Sequence, residues 1–279
     1  MNFLIVLLAI LLLEAYSELS FVQRDGWVRQ WHAALRNLGL RGGSSVLGIL
    51  LFVAGPLLLL WLLLSSLDQR GLGLLAFLLE LTVLLYALGR GNLDTQITLL
   101  SSDLQRDDLQ AAFHDAAVFN TAYREGSAES AEDLKEEIFA ALPYRIFERS
   151  FAAVFWFFLL GAPAALAYRL LALHGDLRLD NQDRRATKWL WLMEWLPVRL
   201  LGITLGLVGN FSQAAGSTRQ LIFSRSIGTA EFLRHAIRGA LQNEAALSLS
   251  PTAISSLVSL MGRAMTAWLV VIAILVILS

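Results

Sequence analysis

Residues 46–64 read VLGILLFVAGPLLLLWLLL and contain no charged side chain. An apolar run of about 20 residues is the length that an α-helix needs to cross the hydrocarbon core of a bilayer. Gly55 and Pro56 do not exclude such a helix, because neighbouring helices in a membrane protein satisfy the carbonyl that a proline frees. The stretch therefore predicts a membrane-spanning helix, and it places the chain among the all-α integral membrane proteins.

Three other segments carry the same signal. Residues 72–88 form a second apolar run, with Glu80 near its middle, and the short link between the two runs predicts a tight antiparallel hairpin. Residues 3–19 predict a spanning helix whose Glu14 faces other helices, because a carboxylate that faces lipid is costly. Residues 254–278 predict a C-terminal spanning helix.

The middle of the chain has two alternative interpretations. Residues 150–173 are apolar but are interrupted by a Gly-Ala-Pro sequence, and residues 189–211 are apolar but contain Pro197. If both segments span, the chain has six membrane helices. If both are broken and re-entrant, it has four spans, and the basic residues of 174–188 favour this arrangement because they then stay inside.

The composition agrees with a membrane protein. Of the 279 residues, 56% are hydrophobic and 16% are charged, and the formal net charge is -1. A soluble domain of this size needs more polar surface, and a disordered chain contains fewer apolar residues. No long basic patch is present, so we expect no nucleic-acid partner.

The motifs of common cofactor and metal sites are missing from the sequence. It contains no Gly-x-x-x-x-Gly-Lys-Ser/Thr loop, no His-Glu-x-x-His helix and no cysteine. The four histidines lie far apart along the chain, at His32, His114, His174 and His235. We therefore expect no metal site, no cofactor and no disulfide.

Arginine-rich loops predict the topology. Residues 21–45 hold four arginines and should be cytoplasmic, as should residues 89–148. Within the second of these segments, residues 103–119 predict one helix, and Ser130 predicts the N-cap of another that ends near residue 142, before Pro143.

The chain then divides into five parts. They are membrane helices in 1–88, a cytoplasmic helical segment in 89–148, two broken or re-entrant apolar segments in 149–210, a basic amphipathic segment in 211–253 at the cytoplasmic surface, and a membrane helix in 254–279.

Charged side chains within or beside the apolar segments indicate where a polar cavity would lie. They are Glu14, Glu80, Glu148, Arg169, Glu194, Arg199 and Arg263. An arginine stays protonated in a protein, so a buried one needs an anion, water or the interface. We predict that Arg169, Glu194 and Arg199 share one polar pocket near Glu148, with a helix broken at Pro197. The alternative is snorkelling at the interface and pairing between helices.

Several short motifs resemble the CobD/CbiB–AmpE membrane protein family, and its AmpE branch more than its CobD/CbiB branch. They are AAVFW at 152–156, LGAP at 160–163, AYR at 167–169 and WLPVRL at 195–200. The resemblance implies that Tyr168, Arg169 and Arg199 form a scaffold or an anion-binding pocket. It also implies a multi-pass protein of the bacterial inner membrane.

The two branches imply different functions. AmpE proteins are linked to the control of inducible β-lactamase, with a proposed role in sensing or relaying cell-wall status. CobD/CbiB proteins form an amide bond between cobyric acid and an aminopropanol compound. At the positions where that branch has polar residues, this chain has Ala172, Gly175, Leu190 and Trp191, so the carboxylates that would hold Mg²⁺ are missing.

We therefore expect a non-enzymatic protein of β-lactamase regulation that binds an anionic ligand, such as a muropeptide or a lipid phosphate, in an arginine-bearing pocket. The alternatives are a membrane enzyme of amide-bond chemistry and a transporter of cell-wall fragments. Besides the lipid bilayer, a second copy of the chain is a candidate partner, because small residues in the helices permit a homodimer.

Overall fold

The computed structural model describes residues 2–15, 25–37, 46–89, 93–116, 119, 130–177, 184–241 and 250–278. Within these ranges all the regular structure is helical, as the composition predicts. The helices are α1 (Asn2–Ala15), α2 (Gly26–Asn37), α3 (Val46–Gln69), α4 (Gly73–Ala87), α5 (Leu93–Gln105), α6 (Leu109–Ala116), α7 (Ala131–Ile146), a π-turn (Phe147–Phe151), α8 (Ala152–Leu160), α9 (Ala162–Leu177), α10 (Arg184–Val208), α11 (Phe211–Thr218), α12 (Thr229–Leu241) and α13 (Pro251–Leu278).

The chain forms two compact units. Unit 1 comprises Met1–Gly91 and Ala152–Met193, and unit 2 comprises Asn92–Phe151 and Glu194–Ser279. In unit 1, α4 packs against α1 and α9, and α3 packs against α9, α4 and α2. In unit 2, α12 packs against α11 and α7, and α13 packs against α5.

Three helices in the described part of the chain are long and apolar enough to cross a membrane. They are Leu47–Gln69, Lys188–Val208 and Pro251–Leu278, and the shorter apolar helices are Asn2–Leu13 and Gly73–Ala87. The runs at 46–64 and 72–88 thus fold as the predicted pair of packed helices, with Gly71 at a positive φ of 68° in the turn between them. A positive φ favours glycine, because glycine has no Cβ to clash.

Two prolines lie inside α3 and α10, and a tryptophan compensates for each. A proline has no N–H, so the carbonyl four residues earlier has no partner within the helix. Pro56 leaves the carbonyl of Phe52 in this state, and the indole Nε1 of Trp31 donates to it at 3.1 Å. In α10, Pro197 leaves the carbonyl of Met193 without a partner within the helix.

The second compensation comes from α8. The indole Nε1 of Trp156 donates to the carbonyl of Met193 at 3.1 Å. This bond is the physical reason why the prediction of a helix broken at Pro197 is wrong: α10 is continuous from Arg184 to Val208. The helix ends only at Val208, and the Asn210 side chain then caps α11 by accepting from the N–H of Gln213 at 3.1 Å.

We expect the Trp31–Phe52 bond to stabilise the protein only while residue 56 is a proline. Trp31→Phe should lower stability by about 1–3 kcal/mol, because it leaves a carbonyl without its donor. Adding Pro56→Ala supplies the missing N–H, so Trp31→Phe should cost much less in that background. Thermal denaturation in detergent measures both differences, and equal costs in the two backgrounds would refute the argument. Trp61→Phe, at an exposed position of α3, is the matched control.

The interruption predicted within residues 150–173 is present. α8 ends at Leu160, Gly161 has a φ of 79°, and α9 begins at Ala162. Pro163 fits the first turn of α9, where a backbone N–H has no helical partner. The two helices pack against each other, and they have only 9 and 16 residues.

The helix predicted over residues 103–119 is wrong in one respect, because it is divided. α5 ends at Gln105 and α6 begins at Leu109. Between them Asp107 has a φ of 59°, which aspartate tolerates better than most residues. The Asp108 carboxylate accepts from the N–H of Ala111 at 3.0 Å, so it caps α6. The apolar pattern predicts one continuous helix, but the conformation of Asp107 ends α5 and the cap from Asp108 begins α6.

The N-cap predicted for the next helix is confirmed, but its predicted end is wrong. Ser130 Oγ accepts from the N–H of Asp133 at 3.2 Å, at the start of α7. The helix continues through Pro143 to Ile146 and then widens into the π-turn at Phe147–Phe151. Pro143 therefore lies inside α7 and does not mark its end. The π-turn that follows inserts extra backbone without ending the helical path, because α8 continues directly from it.

Candidate functional site

Arg169 lies on α9 in the interior of unit 1. Its side chain is 2% exposed, and its Nη2 lies 3.6 Å from Oδ2 of Asp25, just before α2. The other oxygen of that carboxylate accepts a hydrogen bond of 3.0 Å from the Tyr86 hydroxyl of α4. Three helices thus converge on one buried charge pair. Tyr168, the neighbour of Arg169, is fully buried.

Two histidines meet in the same unit. The rings of His32 on α2 and His174 on α9 have centroids 5.6 Å apart, and both rings contact Phe52 on α3. The sequence separation of the four histidines gave no sign of this pair. Within the described residues, no group of three or more metal-ligating side chains is close enough to hold an ion.

Glu194 lies at the centre of a polar cluster in unit 2. Its carboxylate accepts from the Tyr144 hydroxyl of α7 at 2.9 Å and from the Thr229 hydroxyl of α12 at 2.8 Å. Glu194 is 3% exposed. Each oxygen of this buried carboxylate thus accepts from one hydroxyl group, and the cluster joins α7, α10 and α12.

Glu148 lies close to this cluster, in the π-turn. Its Oε2 lies 2.7 Å from Nη1 of Arg145, whose Nε donates to the carbonyl of Phe119 at 3.0 Å. Burial, followed by the charges of Glu194 and Glu148, raises the pKa of the Tyr144 phenol well above its ordinary value. Tyr144 therefore stays protonated at physiological pH and acts as a hydrogen-bond donor to Glu194.

Arg199, five residues after Glu194 on α10, holds a turn of the backbone. Its Nε donates to the carbonyl of Ile222 at 3.2 Å, and its Nη2 donates to the carbonyl of Ser224 at 2.9 Å. The guanidinium carbon lies 4.5 Å from the centroid of the Phe232 ring and 5.3 Å from that of Trp195. Cation–π contacts of this kind stabilise a charge that burial removes from water.

A groove of about 520 Å³ opens beside Arg199 in unit 2. Its walls are formed by α10, α11 and the turn that follows α11, and they are almost entirely apolar. Arg199 and Arg219 are the charged residues that line it. The Nη1 atom of Arg199 is buried and has no hydrogen-bond partner within the described residues. The groove thus combines a hydrocarbon-like surface with two cations.

The structure places the predicted site residues in two groups. Glu148, Glu194 and Arg199 belong to unit 2, whereas Tyr168 and Arg169 belong to unit 1. The pocket shared by Arg169, Glu194 and Arg199 therefore stays a prediction.

The two remaining carboxylates, which the sequence predicts to lie within membrane segments, belong to other parts of the chain. Glu80 is half-buried on α4, and its Oε2 has no hydrogen-bond partner in the part of the chain that the structure describes. The side chain of Glu14 lies outside the described residues.

Sequence reasoning missed most of the partners of these residues. Asp25 follows an arginine in a basic loop, and Tyr86 lies near the end of an apolar run, so neither carries a local signal of a buried charge pair. The partners of Arg199 are backbone carbonyls, which no residue type reveals. Tyr144 had one weak signal, because it follows Pro143 just before a charged stretch that leads into an apolar segment.

The comparisons with known proteins give one partial similarity. The chain is 30% identical over 170 residues to a protein named "Cobalamin biosynthesis protein CobD" from Stutzerimonas stutzeri (strain A1501). The match covers 57% of this chain and 52% of that protein, so the chain spans about half the length of the curated relative that it matches. No protein-family model matches the chain. No solved structure matches it either.

This similarity is consistent with the resemblance to the CobD/CbiB–AmpE family, and it agrees with the apolar helices in indicating a membrane protein. It does not confirm the AmpE branch.

Proposed function

We propose that this chain is a non-enzymatic protein of the bacterial inner membrane that binds an anionic amphiphile in the groove beside Arg199 and takes part in β-lactamase regulation. The observation that carries the proposal is the groove itself, a space of about 520 Å³ with apolar walls and two arginines. An apolar site with a few placed charged groups is typical of a site for a small ligand. The regulatory role rests on the resemblance to the AmpE branch.

The walls of the groove favour a lipid phosphate over a muropeptide. The sugar and peptide parts of a muropeptide need hydrogen-bonding partners, and burying them against apolar side chains is costly. A hydrocarbon chain needs none. The arginines would bind the phosphate, for which the guanidinium group is well suited. Arg219 is exposed and lies at the surface, whereas Arg199 contributes positive charge from within the wall.

Blocking the groove tests the link between binding and function. Ala215 lines the groove on α11, and Gln213 lies on the same helix but is exposed and does not line it. In a strain whose gene has been deleted without disturbing its neighbours, we expect altered β-lactamase induction. Wild-type protein and Gln213→Trp should restore normal induction in that strain. Ala215→Trp, at equal abundance in the membrane, should not restore it.

Normal induction in the deletion strain would remove the support for a regulatory role. If Ala215→Trp restores normal induction, the groove does not take part in regulating β-lactamase.

A second candidate function is the amide-bond chemistry of the CobD/CbiB branch, and the similarity to CobD favours it. The residues at the corresponding polar positions oppose it, because Ala172, Gly175, Leu190 and Trp191 cannot hold Mg²⁺. We expect that expression of this chain in a strain without its cobinamide synthase will not restore corrinoid production. Production of corrinoids in that strain would overturn the proposal of a non-enzymatic protein.

A further inference from the structure

The turn after α11 presents an exposed aromatic side chain. Phe223 is 82% exposed, more than any other large hydrophobic side chain in the described part of the chain. A single exposed apolar residue is ordinary. This one differs because it lies at the tip of a turn and has an exposed arginine on either side, Arg219 and Arg225.

The turn is held in place rather than loosely attached. Arg199 donates to the carbonyls of Ile222 and Ser224, which flank Phe223 on either side. The N–H groups of Leu221 and Ile222 donate to the carbonyl of Thr218, each at 2.9 Å. A buried cation therefore fixes the backbone on both sides of Phe223 and keeps its ring directed outward.

The charges around the turn have one sign. No aspartate or glutamate occurs between residues 195 and 230, whereas Arg199, Arg219 and Arg225 all lie in that range. An apolar tip flanked by cations complements the surface of an anionic lipid leaflet, where phosphates lie above hydrocarbon. The helices Leu47–Gln69 and Pro251–Leu278 are long and apolar enough to hold the chain in a bilayer. Arg199 lies near the middle of α10, so the turn meets headgroups when α10 lies along the membrane interface rather than across the bilayer.

We propose that residues 219–225 form a membrane-interface anchor, in which Phe223 inserts below the headgroups of an anionic leaflet and Arg219 and Arg225 bind lipid phosphates. Arg199 is the positioning residue of this anchor, because it holds the backbone on both sides of Phe223. Arg219 and Phe223 also line the groove, so the turn forms one of its walls. The anchor nevertheless predicts that the turn contacts lipid when the groove is blocked.

A fluorescent label next to the tip tests the anchor. The chain has no cysteine, so Gln220→Cys gives one labelling site on the exposed surface of the turn, and Glu132→Cys gives a matched site on α7. The labelled full-length proteins are placed in nanodiscs of phosphatidylglycerol and phosphatidylethanolamine that carry a spin-labelled lipid. We expect several-fold stronger quenching at position 220 than at position 132, with a blue-shifted emission.

The contribution of the tip is then measured in the same label position. Phe223→Ser should reduce the quenching at position 220 several-fold, and Arg219→Gln with Arg225→Gln should remove its dependence on phosphatidylglycerol. Ala215→Trp should leave it unchanged, which separates the anchor from the groove. Two outcomes would overturn the proposal: an emission at position 220 that matches position 132, or a blue shift without quenching by lipid, which would indicate a protein partner or a second copy.

Discussion

We expect Arg199→Ala to destabilise the protein by about 3–5 kcal/mol, because it removes two charge-assisted hydrogen bonds and two cation–π contacts at once. The side chain is 4% exposed, so water does not replace these interactions fully. The carbonyls of Ile222 and Ser224 would lose their donor, and the turn that carries Phe223 would lose its attachment to α10. Arg199→Lys should recover only part of the loss, because an ammonium group cannot form the same planar fork.

The matched control for Arg199 is Arg238 on α12. Arg238 is 38% exposed and pairs with Glu136, to which Arg234 also donates at 2.9 Å. An exposed ion pair of this kind contributes about 0–1 kcal/mol, and Glu136 keeps a second partner. Thermal denaturation in detergent compares the two variants. Equal shifts of the midpoint for Arg199→Ala and Arg238→Ala would contradict the role assigned to Arg199.

The second large effect is expected at Arg169 in unit 1. Arg169→Leu removes the cation from beside the Asp25 carboxylate, which is only 10% exposed. Removing one partner of a buried ion pair costs about 3–5 kcal/mol, since the remaining charge stays buried. The midpoint of thermal denaturation should fall sharply, or the protein should fail to accumulate in the membrane.

A compensating variant keeps this prediction testable. Arg169→Leu combined with Asp25→Asn removes both charges and retains an oxygen that can accept from the Tyr86 hydroxyl. Replacing a buried ion pair by neutral groups is often close to neutral in stability. The double variant should therefore be more stable than Arg169→Leu alone. If it is equally unstable or worse, the charge pair is not what makes Arg169 important.

Hydrophobic patterning predicted a large part of the fold. The runs at 46–64, 72–88 and 254–278 each correspond to a helix, because an apolar run of that length is a local property of the sequence. The break at Gly161 was also predictable, since glycine followed closely by proline disrupts a helix locally. The sequence left two alternatives for the number of segments that cross the membrane, four or six. This number stays a prediction.

The errors arose where a distant residue overrides a local signal. Pro197 has a local tendency to break α10, and Trp156, which lies 37 residues from the carbonyl that it satisfies, removes that tendency. The pairing of Arg169 with Asp25 joins positions far apart in the chain, so spacing could not reveal it. Burial of the arginines was predictable from their apolar surroundings, but the identity of their partners required the tertiary structure.

The central claim is that a lipid-like anion occupies the groove beside Arg199, and photocrosslinking tests it most directly. The purified protein in nanodiscs is exposed to a phosphatidic acid with a photoactivatable acyl chain, and the labelled peptides are identified by mass spectrometry. We predict labels on the groove-facing positions of α10 and α11, such as Gly206 and Ala214, that are lost in Ala215→Trp and retained in Gln213→Trp. Labels on residues 219–225 should persist in both variants, because that turn contacts lipid by itself. Labels of equal strength at the groove-facing positions of both variants, or labels confined to the outer faces of α3 and α13, would contradict the claim.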